Sequence, residues 1–282
     1  MVRSLSLSID ITNSKQSLES MDRRQKINLL VGLLVFFTFA QVAAAPPKRE
    51  FYEIKIYHLK GPEQEARVEA YLKDAYLPAA HRAGIKNIGV FKPVATDTSA
   101  HKLIYVLTPL ASLDQVLTLP KVLDKDAAYQ AAGKDYIDAA YKTPPYSRFE
   151  TILLQAFTDM PVHQKPKLDS PKSSRVYELR SYEGHTEKIY RNKVQMFNKG
   201  GEVPLFARLG FNAVFYGEVI SGSRMPNLMY MTTFADKASR DAHWKSFSED
   251  AEWNKLKVNP EYQNNVSKNT SYFLYPTEYS DI

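Results

Sequence analysis

Two six-residue segments hold the densest concentration of side chains able to grip or polarise a small molecule. Tyr52-Glu53-Ile54-Lys55-Ile56-Tyr57 and Tyr177-Glu178-Leu179-Arg180-Ser181-Tyr182 share the pattern Tyr-Glu-aliphatic-basic-x-Tyr. In an extended strand alternate side chains point to opposite faces, so Glu53, Lys55 and Tyr57 lie on one face and Tyr52, Ile54 and Ile56 on the other. Glu178, Arg180 and Tyr182 repeat the charged set. A basic residue between a carboxylate and a phenol suits an anionic or carbonyl-bearing ligand, because the cation meets its charge and the phenol donates a hydrogen bond. If the apolar set packs beneath helices, the charged set faces an opposing sheet and forms a polar interior stripe. Glu53, Lys55, Tyr57, Glu178, Arg180 and Tyr182 are therefore the candidate ligand-binding residues. The same residues also suit simple ion pairing, Glu178 and Arg180 meeting their counterparts from the other copy, since buried charges need partners.

Other chemistry is sparse. The chain has no cysteine, which excludes disulfides, thiolate metal sites and a cysteine nucleophile. Histidines stand at positions 58, 81, 101, 163, 185 and 243, with no pair at metal-ligand spacing on one helix. The sequence calls for no metal and no cofactor, and it assigns no catalytic residue. Some α+β barrels of this general shape hold haem or act as small monooxygenases, and His58, His81 or His185 could serve one, but each is more readily a surface or internally satisfied histidine. Trp244, Phe247 and Trp253 fall on one helical stretch at a spacing that suits packing better than an aromatic ligand cage.

The elements that position these residues follow from an internal repeat. The Tyr-Glu pattern recurs at an offset of 125 residues. Leu77-Pro78 with Ala83-Gly84-Ile85 returns as Val203-Pro204 with Leu209-Gly210-Phe211. Leu103-Ile104-Tyr105-Val106 returns as Leu228-Met229-Tyr230-Met231, and Asp126-Ala127-Ala128-Tyr129 as Asp250-Ala251-Glu252-Trp253. Each copy reads β-α-β-β-α-β. The strands are predicted from Tyr52, Ile88, Leu103 and Phe149 in the first copy, and from Tyr177, Ala213, Leu228 and Ser271 in the second. Helices are predicted over Gln64 to Tyr76 and Glu187 to Asn198. That order is the ferredoxin-like split βαβ, with both helices on one face of an antiparallel sheet. The bare face of one sheet needs a second sheet, so the expectation is an α+β fold: two tandem units forming an internal pseudo-dimer and closing toward a barrel. The units are expected at 50–158 and 175–282, joined by a proline-rich linker at 159–174.

The chain of 282 residues carries 37 Lys+Arg against 31 Asp+Glu, 44% hydrophobic and 24% charged residues, enough apolar content for a real core. Five of the basic and three of the acidic residues fall in the first 45, so the remaining surplus is too thin for a nucleic-acid footprint. Arg23-Arg24-Gln25-Lys26, the 14-residue apolar run Ile27 to Ala40 and the small residues Val42 to Ala45 have the form of a secretory signal. The run is short for a bilayer span, which favours cleavage, best placed after Ala44, over anchoring. Residues 1–45 are thus read as an upstream extension and signal, with Met21 the natural start. The mature protein is expected to be exported, periplasmic or extracellular, touching the membrane only through the signal before cleavage.

The segments Tyr177-Glu178-Leu179-Arg180, His243-Trp244-Lys245-Ser246-Phe247 with Asp250-Ala251-Glu252-Trp253, and Tyr272-Phe273-Leu274-Tyr275-Pro276-Thr277-Glu278-Tyr279 resemble the NIPSNAP family. The resemblance spans the second unit and, more weakly, the first, where Tyr129 stands in place of Trp253. It implies a dimeric α+β barrel, and it carries vesicle- or membrane-associated roles and mitochondrial signalling in animals but no shared reaction. The leading expectation is an exported protein that binds a small molecule or a protein partner, with no nucleic acid and with homo-oligomerisation open. The alternatives are a monooxygenase- or isomerase-like barrel enzyme using the polar lumen, and a structural or adaptor protein of the cell envelope.

Overall fold

The computed structural model describes Asp22, Arg24, residues 48–94 and residues 102–282. The expected signal segment, the start at Met21 and His101 lie outside the described residues, Asp22 and Arg24 apart. From Lys48 the chain forms one compact unit. Its first part runs β1 (Phe51–Leu59), α1 (Pro62–Ala70), a π-helical segment Tyr71–Tyr76, α2 (Leu77–Arg82), β2 (Gly89–Pro93) and β3 (Lys102–Leu110). Helices α3 (Gln115–Leu123), α4 (Ala127–Ala132) and α5 (Lys134–Ile137) then lead to β4 (Arg148–Ala156). The second part runs β5 (Val176–Glu183), α6 (Glu187–Phe197), α7 (Glu202–Arg208), β6 (Ala213–Ser221), β7 (Asn227–Phe234), α8 (Lys237–Glu249), α9 (Ala251–Leu256) and β8 (Lys268–Pro276).

The repeated landmarks turn out to be devices that start and stop these elements. Asp126 and Asp250 are N-caps: the side chain of Asp126 accepts from the backbone N–H of Tyr129, and that of Asp250 from those of Glu252 and Trp253. Such caps satisfy donors that a helix start leaves free. Pro78 and Pro204 sit in the first turns of α2 and α7, where a missing N–H costs nothing. Gly84 and Gly210 end those helices at φ +86° and +76°, a left-handed backbone that a side chain would strain.

All eight strands join one closed antiparallel barrel in the order β1-β3-β2-β8-β5-β7-β6-β4. The first four strands therefore lie side by side, as do the last four, and the blocks meet at two seams, β2 on β8 and β4 on β6. Among the described residues closure leaves no open sheet edge. Three apolar cores result. One, with Leu59, Val68, Leu72 and Val106, fills the space under α1 to α5. Another, with Phe197, Phe206, Phe211, Tyr230 and Phe247, lies under α6 to α9, with Trp244 and Trp253 packed against it. The third fills the barrel itself, with Tyr52, Ile54, Leu154, Tyr177, Leu179 and Phe215 among its members. Burying each such side chain is worth about 1.5–3 kcal/mol.

The proline-rich stretch between the blocks is strapped to the barrel. Phe157 and Met160 are buried in the core under α6 to α9. Glu50 N–H donates to the Pro161 carbonyl at 2.8 Å, and Gln164 N–H to that of Val214 at 2.9 Å. His163 joins Glu50 Oε2 through Nδ1 at 2.7 Å and Asn87 Nδ2 through Nε2 at 2.8 Å.

Candidate functional site

The six residues expected in the interior face the other way. Tyr52, Ile54, Tyr177 and Leu179 pack in the barrel core with Ile56 against it, whereas Tyr57 belongs to the core under the helices. The alternation expected along each strand holds, but the charged set points outward beneath the helical layer. The reason is supply of partners. Both faces of these strands are covered, one by the opposing block and one by helices, and α8 brings Arg240 and Trp244 as donors to Glu178.

Glu178, fully buried, shows this best. Arg240 of α8 grips its carboxylate with two bonds, Nε to Oε2 at 2.8 Å and Nη2 to Oε1 at 2.7 Å. Arg180 Nη1 donates to Oε1 at 2.8 Å and Trp244 Nε1 to Oε2 at 2.7 Å. Burial pushes this carboxyl up, but the Arg240 bond, the Arg180 and Arg240 charges and the Trp244 bond together hold it below the usual range. Arg180 also stacks on the Trp244 ring at 4.5 Å and donates from Nε to Tyr182 Oη at 3.2 Å, and Tyr182 shares a hydrogen bond with Tyr230 at 3.0 Å. In the other block Lys55 Nζ stands 3.8 Å from Glu53 and 5.2 Å from the Phe149 ring centre, and Tyr136 Oη donates to Tyr57 Oη at 3.1 Å. Pairing thus runs within each block, in place of the pairing between copies that the sequence suggested.

A second set of polar side chains lies in the lumen at one end of the barrel. Its interior is apolar through Leu154, Leu179 and Met231 and turns polar where the strands run out. There a cavity of about 140 Å³ is lined by residues of β1, β3, β4, β5, β7, β8 and the β6–β7 hairpin. Ile56, Leu103, Ile152, Leu179 and Met229 make its apolar walls. His58 Nε2 lies 2.6 Å from Glu150 Oε1, and Arg224 Nη1 donates to Tyr272 Oη at 2.6 Å. Ser181 Oγ donates to Asn227 Oδ1 at 3.1 Å and accepts from its Nδ2 at 2.9 Å. Arg224 is held more firmly charged than a free guanidinium, by Tyr272 first and then by Glu183 and Glu150. Its backbone adopts φ +64° at the hairpin tip, which brings the side chain back over the mouth.

Of these residues the sequence singled out only His58, as one histidine among three. A signal for more was present: His58 continues the face of Tyr52, and Ser181 that of Tyr177, by the period of two. Glu150, Asn227 and Tyr272 follow once the inward face is known. Arg224 comes from a hairpin, and no strand pattern points to it. Among the described residues no group of three His, Asp or Glu side chains is placed to hold a metal ion.

Comparison with known proteins agrees with the barrel. A candidate monooxygenase from Fusobacterium nucleatum superposes with a TM-score of 0.54 at 8% identity, over 82% of this chain and 93% of the other. A second candidate monooxygenase, from Lactobacillus acidophilus, gives 0.54 at 10% identity, over 81% and 94%. At such identities the likeness concerns the fold alone. A NIPSNAP family protein from Agrobacterium tumefaciens is 19% identical over 42% of this chain and 98% of its own, with a TM-score of 0.35. No functionally curated protein matches the chain. The NIPSNAP family model matches residues 177–281. Those residues are a NIPSNAP domain, set here within an eight-stranded antiparallel α+β barrel.

Proposed function

We propose that this protein binds a small organic molecule at the mouth of its barrel. The observation that supports the reading is the juxtaposition of an apolar-walled cavity with Arg224, Tyr272, His58 and Glu150 at its rim. Binding sites commonly combine such walls with a few convergent polar groups. The cavity, about 140 Å³, is small and suits a compact molecule. Arg224 supplies a planar fork of donors suited to a carboxylate or carbonyl.

The test is the native mass of the protein purified from its own host, followed by binding titrations with whatever it carries. A non-covalent excess mass that Arg224→Met releases, at unchanged thermal stability, supports the reading. No excess mass, together with no affinity for a panel of small carboxylates and carbonyl compounds, overturns it.

Two wider readings belong to the same proposal. The strand order, two contiguous blocks joined at two equivalent seams, supports a barrel made from two tandem ferredoxin-like units as an internal pseudo-dimer. The basic, apolar and small residues between Arg23 and Ala45 support export, so the site would meet ligands of the periplasm or exterior.

A further inference from the structure

We propose that His58, held by Glu150, is a general base that moves a proton at the carbon beside the carbonyl of a small 2-oxo acid. This rests on the reading of the barrel mouth as a ligand site.

Three features of that mouth lead to the activity. The first is the dyad. His58 Nε2 lies 2.6 Å from Glu150 Oε1, and an ionised carboxylate only accepts hydrogen bonds, so Nε2 carries the proton. In the neutral imidazole Nδ1 is then the basic nitrogen, the one that can take a proton. A base oriented by a second group, at the wall of a cavity, is the arrangement that proton transfer needs. The second is Arg224, whose Nη1 bonds Tyr272 while no bond from Nε or Nη2 is made among the described residues. A guanidinium with free donors can take the carboxylate and the adjacent carbonyl oxygen of a 2-oxo acid side by side. The third is size and polarity. The apolar walls of Ile152, Leu179 and Met229 suit a short alkyl chain.

The step balances without any further reagent. The C–H bond next to the carbonyl breaks, its proton passes to His58 Nδ1, and its electron pair enters the enolate. Arg224 faces the charge gathering on the enolate oxygen, and Glu150 faces the positive charge gathering on the imidazole ring. Return of a proton from His58 to the same carbon gives exchange, and return to a neighbouring atom gives isomerisation. Glu150 is a positioning residue in this scheme, since it acts through His58.

The probe is 2-oxobutyrate in heavy water, with loss of the proton signal at its third carbon followed by NMR and its affinity measured by titration calorimetry. The wild-type protein is expected to bind the acid and to speed exchange above the rate without protein. His58→Gln is expected to lower that exchange about 100-fold, the usual contribution of a positioned base, while its affinity for the acid stays within twofold. Glu150→Gln is expected to lower exchange with little change in affinity, a split that a merely structural role would not produce. His185→Gln, outside the cavity, is expected to leave exchange unchanged. Binding of the acid without exchange, or exchange untouched in His58→Gln, overturns the base and leaves the ligand site standing. Failure of the wild-type protein to bind the acid overturns this substrate class, and only failure to carry any small molecule removes the site itself.

Discussion

The Tyr52 ring packs on the Phe215 ring with centroids 5.0 Å apart and planes inclined by 49°. Tyr177 repeats the contact on Phe91 at 4.7 Å and the same 49°. Each pair joins the first strand of one block to the second strand of the other, so the two contacts are related by the exchange of blocks. Aromatic pairs at this distance add roughly 0.5–1.5 kcal/mol beyond the area they bury. Both tyrosines are completely buried. Tyr52→Ala and Tyr177→Ala are therefore each expected to destabilise the fold by about 3–5 kcal/mol, and by nearly equal amounts. Urea unfolding of the two variants checks this; a cost above 3 kcal/mol at one site and below 1 at the other would mean that the lumen is not symmetrically loaded.

The seams suggest a second experiment. Strand β6 pairs with β4 and strand β8 with β2, and an isolated second block would expose both edges. Those two edges belong to one block, so two copies of residues 157–282 can close a barrel by pairing β6 of each with β8 of the other. The fragment starts at Phe157 because that ring is buried in the core of the second block. Sedimentation is expected to show a dimer, with monomer only where the fragment is unfolded. A stable folded monomer would count against the tandem-unit reading.

How much of this was readable in advance depends on which physical signal each feature leaves in the chain. The eight strands were legible because landmarks such as Asp126 and Asp250, or Gly84 and Gly210, are caps and stops that local chemistry demands. The alternation of Tyr52 and Glu53 was legible too. Which of those faces turned inward was not, because both faces of β1 and β5 are covered, and a period of two has no sign. The choice depends on Arg240 and Trp244, residues 62 and 66 positions after Glu178, arriving on α8 with donors for its carboxylate. The mouth was hidden for a similar reason. His58 and Glu150 come together only through the pairing of β1 with β4, and Arg224 only through the hairpin that returns over the cavity.

Glu178 makes the stability of the protein depend on acid. Its carboxyl titrates below the ordinary glutamate range, since the bonds and charges of Arg240 and Arg180 outweigh its burial. A group whose folded value lies below its unfolded value contributes stability that is full above the unfolded value and is lost as pH falls through the folded one. Stability is accordingly expected to fall on acidification from the ordinary glutamate range downward. Glu178→Gln is expected to cost about 3 kcal/mol at neutral pH, because the half-buried Arg180 guanidinium loses its counter-charge and Arg240 keeps only Asp241 among the described residues. It is also expected to flatten the acid limb of the stability profile. Urea midpoints across the acid range, wild type against variant, check both; parallel profiles would assign the acid sensitivity to other carboxylates.

A second buried pair lies a short distance along the same block and behaves differently on paper. Lys193 Nζ reaches Glu202 Oε2 at 2.8 Å, with both residues almost wholly buried, and the ammonium also stands 4.7 Å from the Phe197 ring centre. Unlike Glu178, Glu202 has Lys193 as its one salt-bridge partner among the described residues, and its place in the first turn of α7 adds the favourable helix dipole. Desolvation of two charges consumes most of what their attraction returns, so the pair is worth little against an apolar substitute, while either half alone is costly. Lys193→Met is expected to lower stability by about 3–5 kcal/mol, and Lys193→Met combined with Glu202→Leu to recover more than half of that loss. A double-mutant cycle by urea unfolding measures the difference. A double variant no more stable than Lys193→Met alone would show that the cost comes from lost packing of the lysine stem against Phe197 and Tyr182, and that the uncompensated carboxylate contributes nothing.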